Sequence, residues 1–380
     1  MYSNFAAAIA LCALAFLAPS NANPYKRATA TPIMNGVNFP DPAIIKTPTG
    51  WHLFSTNAKV DGKMIHIQRA VTTDWKTFTF RKGVDALPEL PAWVDGIPRV
   101  WAPDVVQLHD GSYLMYYTAA YKKMPHLHCL SYATAKKITD PFVDNSKEPW
   151  ICPTKQGGAI DIAGFTDEKN GGKRWVVYKI DGNAIGHGGT CGNTVKPIVP
   201  TPILLQQVGQ DGHTLIGSPK QVLTNVASDG PYVEAPVLTF MNGKYVLFFS
   251  SQCYQTDGYD VQYAIADNIA GPYTRKGRIF GTGTMGMKAP GGLDIAINGN
   301  KAVWHGYVYH PKNDTEDPSL APPAGSEGKK KEEGKEKEEK CRNFERKADC
   351  DLRRNYQKVR AAYVATLTLK NGVIEAENVY

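Results

Sequence analysis

The sequence predicts an all-β fold, a five-bladed β-propeller, on three observations. A hairpin pattern recurs five times, an acidic residue opens each copy, and turn formers and aromatics are abundant. Among 380 residues there are 35 Gly and 26 Pro to make turns, and 13 Phe, 7 Trp and 19 Tyr to fill cores. That mixture favours short strands joined by tight turns over a helical bundle or coiled coil. At 42% hydrophobic and 21% charged, the chain is globular and long enough to bury a sizeable core. A net charge of +7 is mild for this length, and the basic residues form no stripe with interleaved aromatics. A nucleic-acid partner is therefore not expected.

The N-terminus sets the compartment. Residues 4–18 are an uncharged apolar run, short for a membrane span and followed by Ser20-Asn21-Ala22, a small-residue cleavage pattern. We read residues 1–22 as a secretory signal peptide, which makes the protein extracellular, with no membrane partner. Residues 23–34 form an N-terminal segment in which Lys26-Arg27 offers a second processing site, and residues 35–380 form one propeller domain, expected as a monomer. Cys12 leaves with the signal. The remaining Cys129, Cys152, Cys191, Cys253, Cys341 and Cys350 are an even set, which favours disulfides in an exported protein. Their pairing stays open, although Cys341 and Cys350 are close enough for a local loop. No Cys/His cluster suggests a metal site. Asn313-Asp314-Thr315 is a sequon that places a glycan on Asn313 if its loop is exposed.

The repeats follow in order. Asp41-Pro-Ala-Ile-Ile leads to Gly50-Trp-His-Leu-Phe54, and Asp104-Val-Val-Gln-Leu to Gly111-Ser-Tyr-Leu-Met-Tyr-Tyr117. Asp161-Ile-Ala-Gly-Phe leads to Gly172-Lys-Arg-Trp-Val-Val-Tyr178, and Glu234-Ala-Pro-Val-Leu to Gly243-Lys-Tyr-Val-Leu-Phe-Phe249. Asp294-Ile-Ala-Ile with Gly299-Asn-Lys-Ala-Val-Trp304 completes the set, and the leading acids stand 63, 57, 73 and 60 residues apart. Each copy is a hairpin signal, followed by a further strand-like run such as Met64–Ala70, Leu130–Ala133 or Val261–Ala264. Residues 310–340 break the pattern. Ser326–Lys340 holds six Lys, six Glu and no apolar side chain, so we expect a disordered charged insertion. Val359–Leu369 and the Asn371-Gly372 turn then return to strand character and are expected to close the last blade.

In a propeller the innermost strand of every blade starts near the central channel, so the leading acids are expected at equivalent positions around one funnel. Hydrolysis of a glycosidic bond needs two carboxyl groups, one donating a proton and one activating water. A third nearby carboxylate raises the pKa of the donor. Asp41, Asp161 and Glu234 supply that set, whereas Asp104 reads as structural, tying down backbone near the axis. Glu234 is the sharpest of them, because a glutamate opening an apolar run is costly to bury without a role.

Phe39-Pro-Asp-Pro-Ala43, Trp101-Ala-Pro-Asp-Val105, Ala159-Ile-Asp-Ile162 and Val233-Glu-Ala-Pro236, in this order and spacing, resemble glycoside hydrolase family 43. These are five-bladed propeller enzymes acting on arabinan, xylan and related chains. The resemblance implies Asp41 as general base, Glu234 as general acid, Asp161 as the group that raises and orients Glu234, and inversion at the anomeric carbon. It implies Trp101 as a sugar-stacking wall of the pocket. Many members carry a Gly-Pro-Gly-His run in the last blade, whose His sits by an axial ion or water. Here Ala289-Pro-Gly-Gly-Leu-Asp294 puts Gly292 at that place, so His305 is expected as a satisfied core histidine rather than a calcium ligand. No cofactor is expected to be required. The loops Ile180–Thr201 and Lys82–Arg99 carry no legible pattern. Gly186-His-Gly-Gly189 is not a phosphate loop in this context, and we place His187 near substrate. The expected partner is a plant cell-wall polysaccharide or oligosaccharide containing arabinose or xylose. Two alternatives differ: sucrose- and fructan-cleaving enzymes, whose Trp-Met-Asn-Asp-Pro-Asn signature is not reproduced at Gly36–Asp41, and a non-catalytic carbohydrate-binding propeller.

Overall fold

The computed structural model describes residues 29–97, 99–311, 315–316 and 356–380. The expected signal peptide, the Asn313 sequon, most of the charged insertion, Cys341 and Cys350 lie outside them. No helix of the described residues is long and apolar enough to cross a membrane.

Five antiparallel sheets form the blades, each running outward from the axis in chain order. Blade I comprises Ala43–Thr47, Gly50–Ser55, Gln68–Thr72 and Thr79–Phe80. Blade II comprises Val100–Gln107, Tyr113–Tyr121 and Met124–Ala135, with isolated bridges from Val143 and Ile151 at its outer edge. Blade III is Ala159–Asp167, Lys173–Ile180, Ile203–Val208 and Leu215–Leu223; blade IV is Val233–Met241, Lys244–Ser251, Asp260–Ala266 and Thr274–Phe280. Blade V joins Gly291–Ile295 and Lys301–Pro311 to Tyr356–Lys370 and Val373–Glu377 from the tail. Each inner strand packs on the next, and that of blade V packs on that of blade I, so the ring closes. The expected run Met64–Ala70 is divided. Lys63–Ile65 joins Ala58–Val60 and Thr315–Glu316 in a small separate sheet, and Gln68–Thr72 is the third strand of blade I.

Closure uses both ends of the described chain. The tail strand Tyr356–Lys370 outruns its partner Val373–Glu377, and its first half is paired instead by the segment before blade I. Asn38 bridges Ala361, the Phe39 N–H donates to the Arg360 carbonyl, and the Ile33 N–H donates to the Ala362 carbonyl. Ala30 and Ile33 are buried, so the packed chain begins before residue 35. Aromatic side chains fill the wedges between blades, as the composition predicts. Trp304 lies between Phe280, stacked at 4.4 Å, and Tyr363 at 6.2 Å.

At the closing seam Phe39 is fully buried among Ile44, Leu53, Val303 and Val364, edge-on to Phe80 at 6.2 Å. Replacing it with Ala should cost about 3–5 kcal/mol through lost burial and the cavity left behind. Denaturant unfolding of Phe39→Ala beside the parent measures this.

Candidate active site

The inner strands share a break in their ladders. Pairing with the second strand shifts between Trp101 and Asp104, Ile160 and Ala163, Glu234 and Val237, and Gly291 and Asp294. At each break one residue has a left-handed backbone: Ala102, Asp161, Ala235 and Gly292, with φ of 42°, 56°, 47° and 60°. Asp41, φ 47°, is their counterpart ahead of blade I. Such a conformation is costly for non-Gly residues and persists only where surroundings impose it. Proline follows in three blades, at Pro42, Pro103 and Pro236, and so leaves no N–H unpaired where the ladder breaks.

This geometry corrects the expected equivalence of the five leading acids. Asp41 and Asp161 occupy the left-handed position itself, Glu234 stands one residue before it, and Asp104 and Asp294 stand two residues after it. The last two act as staples between blades. Asp104 Oδ2 accepts the Gly164 N–H at 2.7 Å, and Asp294 Oδ2 accepts the Ile44 N–H at 2.6 Å. Asp104 thus ties backbone between blades, and it also lines the pocket described below.

A ring of side chains on the second strands serves the N–H groups at the breaks. Thr118, Lys179, Ser250 and His305 pair with Trp101, Ile160, Glu234 and Gly291, and Thr56 holds the same rung in blade I through its N–H to the Pro40 carbonyl. Each reaches the following blade. Thr56 Oγ1 accepts from Ala102 at 2.9 Å, Thr118 Oγ1 from Asp161 at 3.2 Å, and Ser250 Oγ from Gly292 at 2.9 Å. His305 Nδ1 accepts from Asp41 at 3.1 Å, which makes Nδ1 the unprotonated ring nitrogen. In blade III the rung holds Lys179, and the Ala235 N–H donates to Asp161 Oδ2 at 2.9 Å instead.

The three expected acids line one pocket of about 350 Å³, with Trp101, Lys179, Arg360 and Tyr259 also on its wall. Their environments differ. Arg360 donates to both Asp41 oxygens, at 3.0 and 3.2 Å, and Thr56 donates to Oδ2 at 2.7 Å. Burial pushes the Asp41 pKa up, but the Arg360 charge and the Thr56 hydrogen bond outweigh it and hold the group below its ordinary value. Glu234 receives the Tyr259 hydroxyl at 2.7 Å on Oε1 and the Lys179 ammonium at 3.2 Å on Oε2. Burial dominates there, and the pKa is raised despite Lys179 and Tyr259, with the Asp41 charge adding to the rise. Asp161 is pushed up to about 8, by burial first and then by the Glu234 charge. The site thus holds one carboxylate poised to stay ionised and a carboxyl pair poised to keep a proton.

Trp101 is half-buried on the pocket wall and stacks on His128 at 3.8 Å. Burial, then the Arg99 charge, lowers the His128 pKa to about 3, so that ring is neutral. His187 is not brought to the site: it is exposed and does not line the pocket. The Cys191–Cys253 disulfide and the Asn193 side chain, bonded to the Val199 and Pro231 carbonyls, pin its loop so that Cys191 and Asn183 face the cavity. A second disulfide joins Cys129 and Cys152. No group of three or more His, Cys, Asp or Glu among the described residues is placed to hold a metal ion, and His305, Asp104 and Asp294 are bonded to backbone N–H groups.

Sequence reasoning passed over Lys179, Arg360 and Tyr259. For Lys179 and Arg360 the available signal was a lone cation inside an apolar strand, Val177-Tyr-Lys-Ile180 and Val359-Arg-Ala-Ala362, which has to be paired when buried.

A family model described as "Glycosyl hydrolases family 43" matches residues 29–319. The chain is 26% identical over 285 residues to the "Extracellular endo-alpha-(1->5)-L-arabinanase 1" of Bacillus subtilis, covering 70% of this chain and 79% of that protein. An "Extracellular endo-alpha-(1->5)-L-arabinanase" of Thermotoga petrophila is 26% identical over 256 residues, covering 61% of this chain and 50% of that protein. Among solved structures, a "thermostable family-43 glycoside hydrolase" superposes with a TM-score of 0.64 at 18% identity, covering 92% of this chain and 96% of that one. An endo-1,4-beta-xylanase from Bacteroides thetaiotaomicron gives a TM-score of 0.61 at 18% identity, with 92% and 98% covered. These two likenesses are of fold.

Gly292 tests the packing of the site. A Cβ there would lie 2.8 Å from the His305 ring and 3.3 Å from Asp41 Oδ1, on a backbone with φ +60°. Gly292→Ala should displace His305 from Asp41, lower the hydrolytic rate at least about tenfold and destabilise by about 1–3 kcal/mol. Rates on a glycoside substrate and thermal unfolding of the variant give both readings.

Proposed function

Given that the chain belongs to the glycosyl hydrolases of family 43, we propose that it hydrolyses arabinose-containing plant cell-wall polysaccharide with inversion, Asp41 being the general base and Glu234 the general acid. The single observation that carries these roles is the opposed electrostatics of two carboxyl groups in one pocket. Asp41 is held ionised by Arg360 and Thr56, and Glu234 is buried with a raised pKa.

In this reading the ionised Asp41 takes a proton from water as the water attacks the anomeric carbon. The C–O bond breaks, and Glu234 gives its proton to the leaving oxygen. Asp161 shares the retained proton with Glu234 and, through its bond to the Ala235 N–H, holds the backbone next to the acid. Trp101 offers its pocket-side face to a sugar ring, backed by the neutral His128. Arabinan is favoured as substrate because both curated relatives named above act on α-1,5-linked arabinan by their names. Extracellular location is the matching proposal, supported by those relatives' names and by two disulfides among the described residues.

Assays on linear arabinan, arabinoxylan and aryl glycosides should give the highest kcat/KM on arabinan. Asp41→Ala and Glu234→Ala should each lower it by at least about a hundredfold. Retention of hydrolysis by both variants would overturn the acid/base assignment, whereas binding of arabinan without hydrolysis by the parent would favour a carbohydrate-binding propeller. NMR of the first-formed product should show the inverted anomer.

The pH profile has a definite sign. Activity needs Asp41 ionised and a proton on the Glu234/Asp161 pair, so kcat/KM should rise through a pKa below the usual carboxylate range and fall where the pair loses its proton. A plateau from about pH 4 to about pH 7 is expected. An alkaline limb near pH 4.5 would contradict the assignment of the acid.

A further inference from the structure

We propose that Lys179 is a positioning residue for the acid: as the ring member that cannot accept a hydrogen bond, it assigns Asp161 to the Ala235 N–H and leaves the acidic proton on Glu234 Oε1. The inference rests on the proposed role of Glu234 and extends it to a residue outside the expected catalytic set.

Lys179 faces Ile160 across the blade III hairpin as Thr118 faces Trp101 and Ser250 faces Glu234. Those hydroxyls, Thr56 and His305 each accept the N–H at the break of the following blade. An ammonium has three donors and no acceptor. The Ala235 N–H therefore needs another partner, and Asp161 Oδ2 takes it at 2.9 Å. A threonine at this rung would free Asp161 from that bond, so the lysine ties the third carboxylate to the backbone beside the acid.

The same donor-only chemistry orders Glu234. The Lys179 side chain has 0% exposure and lies over the Tyr232 ring at 4.3 Å, with Nζ 3.0 Å from Asp181 Oδ1 and 3.2 Å from Glu234 Oε2. With Nζ donating to it, Oε2 serves as acceptor in both protonation states, and the acidic hydrogen belongs on Oε1. There the Tyr259 hydroxyl, 2.7 Å away, can switch from donor to acceptor. The charged and titratable groups facing Glu234 are Lys179, Asp161, Asp41, Tyr232 and Tyr259, with Asp181 acting through Lys179. A buried lysine is an expensive substitute for a hydroxyl, and Asp181 neutralises part of its field, so Glu234 can still hold a proton.

The test compares pH profiles of kcat on linear arabinan for the parent, Lys179→Met, Lys179→Arg and Asp181→Asn. Lys179→Met should lower kcat at least about tenfold with KM changed less than about threefold, and should move the alkaline limb upward by about half a unit or more. Removing the cation lets the Glu234/Asp161 pair keep its proton to higher pH. Asp181→Asn should move the limb downward, because the lysine charge is then less neutralised, and Lys179→Arg should leave it in place. An alkaline limb unmoved in Lys179→Met, or moved in the same direction by Lys179→Met and Asp181→Asn, overturns the proposal even if kcat falls. Should Lys179→Met fail to fold by thermal unfolding, Asp181→Asn decides: a downward shift supports the proposal and an unmoved limb rejects it. Hydrolysis surviving in Glu234→Ala would instead remove the acid assignment itself, so the two failures are distinguishable.

Discussion

Five backbone N–H groups, four at breaks in the inner strands and one at Asp41 ahead of blade I, need acceptors in a largely part-buried setting, and much of the molecule is arranged around that demand. A buried N–H left alone costs about as much as a lost hydrogen bond. Each blade answers for the next one, through Thr56, Thr118, Ser250 and His305 in four cases and through Asp161 in the fifth. One set of bonds therefore does two things. It ties neighbouring blades together near the axis, and it holds the left-handed residues that aim Asp41 and Asp161 into the pocket.

The same scaffold gives its carboxyl groups opposite characters. Asp41 meets a guanidinium and a hydroxyl, and stays ionised. Glu234 and Asp161 lie against each other, and only one ammonium, already shared with Asp181, offsets them. Burial acts alike on all three; what separates them is which donors the neighbouring strands deliver. The cation that sets Asp41 comes from the tail strand of blade V, and the one that touches Glu234 comes from the second strand of blade III.

The five-fold plan was legible because every blade repeats one hairpin, and the acids were legible because a carboxylate at the head of an apolar run stands out. Their true offsets were not. A break in the ladder adds residues without changing the apolar pattern around it, so Asp41, Glu234 and Asp104 look alike in sequence although they occupy three different positions relative to the left-handed residue. The ring on the second strands was equally hidden, because Thr118 and Ser250 read as ordinary strand residues until the register is known. The direction of His187 was not legible because a glycine-rich loop has no periodicity, and its course is set by the Cys191–Cys253 disulfide and by Asn193 a few residues further along the same loop. The Cys129–Cys152 and Cys191–Cys253 pairs were open in sequence for the same reason: pairing is a property of where loops meet.

The seam that joins Asn38 to Ala361 ties the order of synthesis to the order of assembly. Blades II, III and IV are each built from continuous stretches of chain and can form as they leave the ribosome. Blade I can fold its sheet, but Asp41 lacks its guanidinium until Arg360 has been made and seated. The contacts that finish the molecule span most of its length, which predicts slow, late closure by loop-entropy arguments. Hydrolytic competence is therefore a report on the last step of folding, and a chain stalled before the tail strand would hold the acid without a completed base.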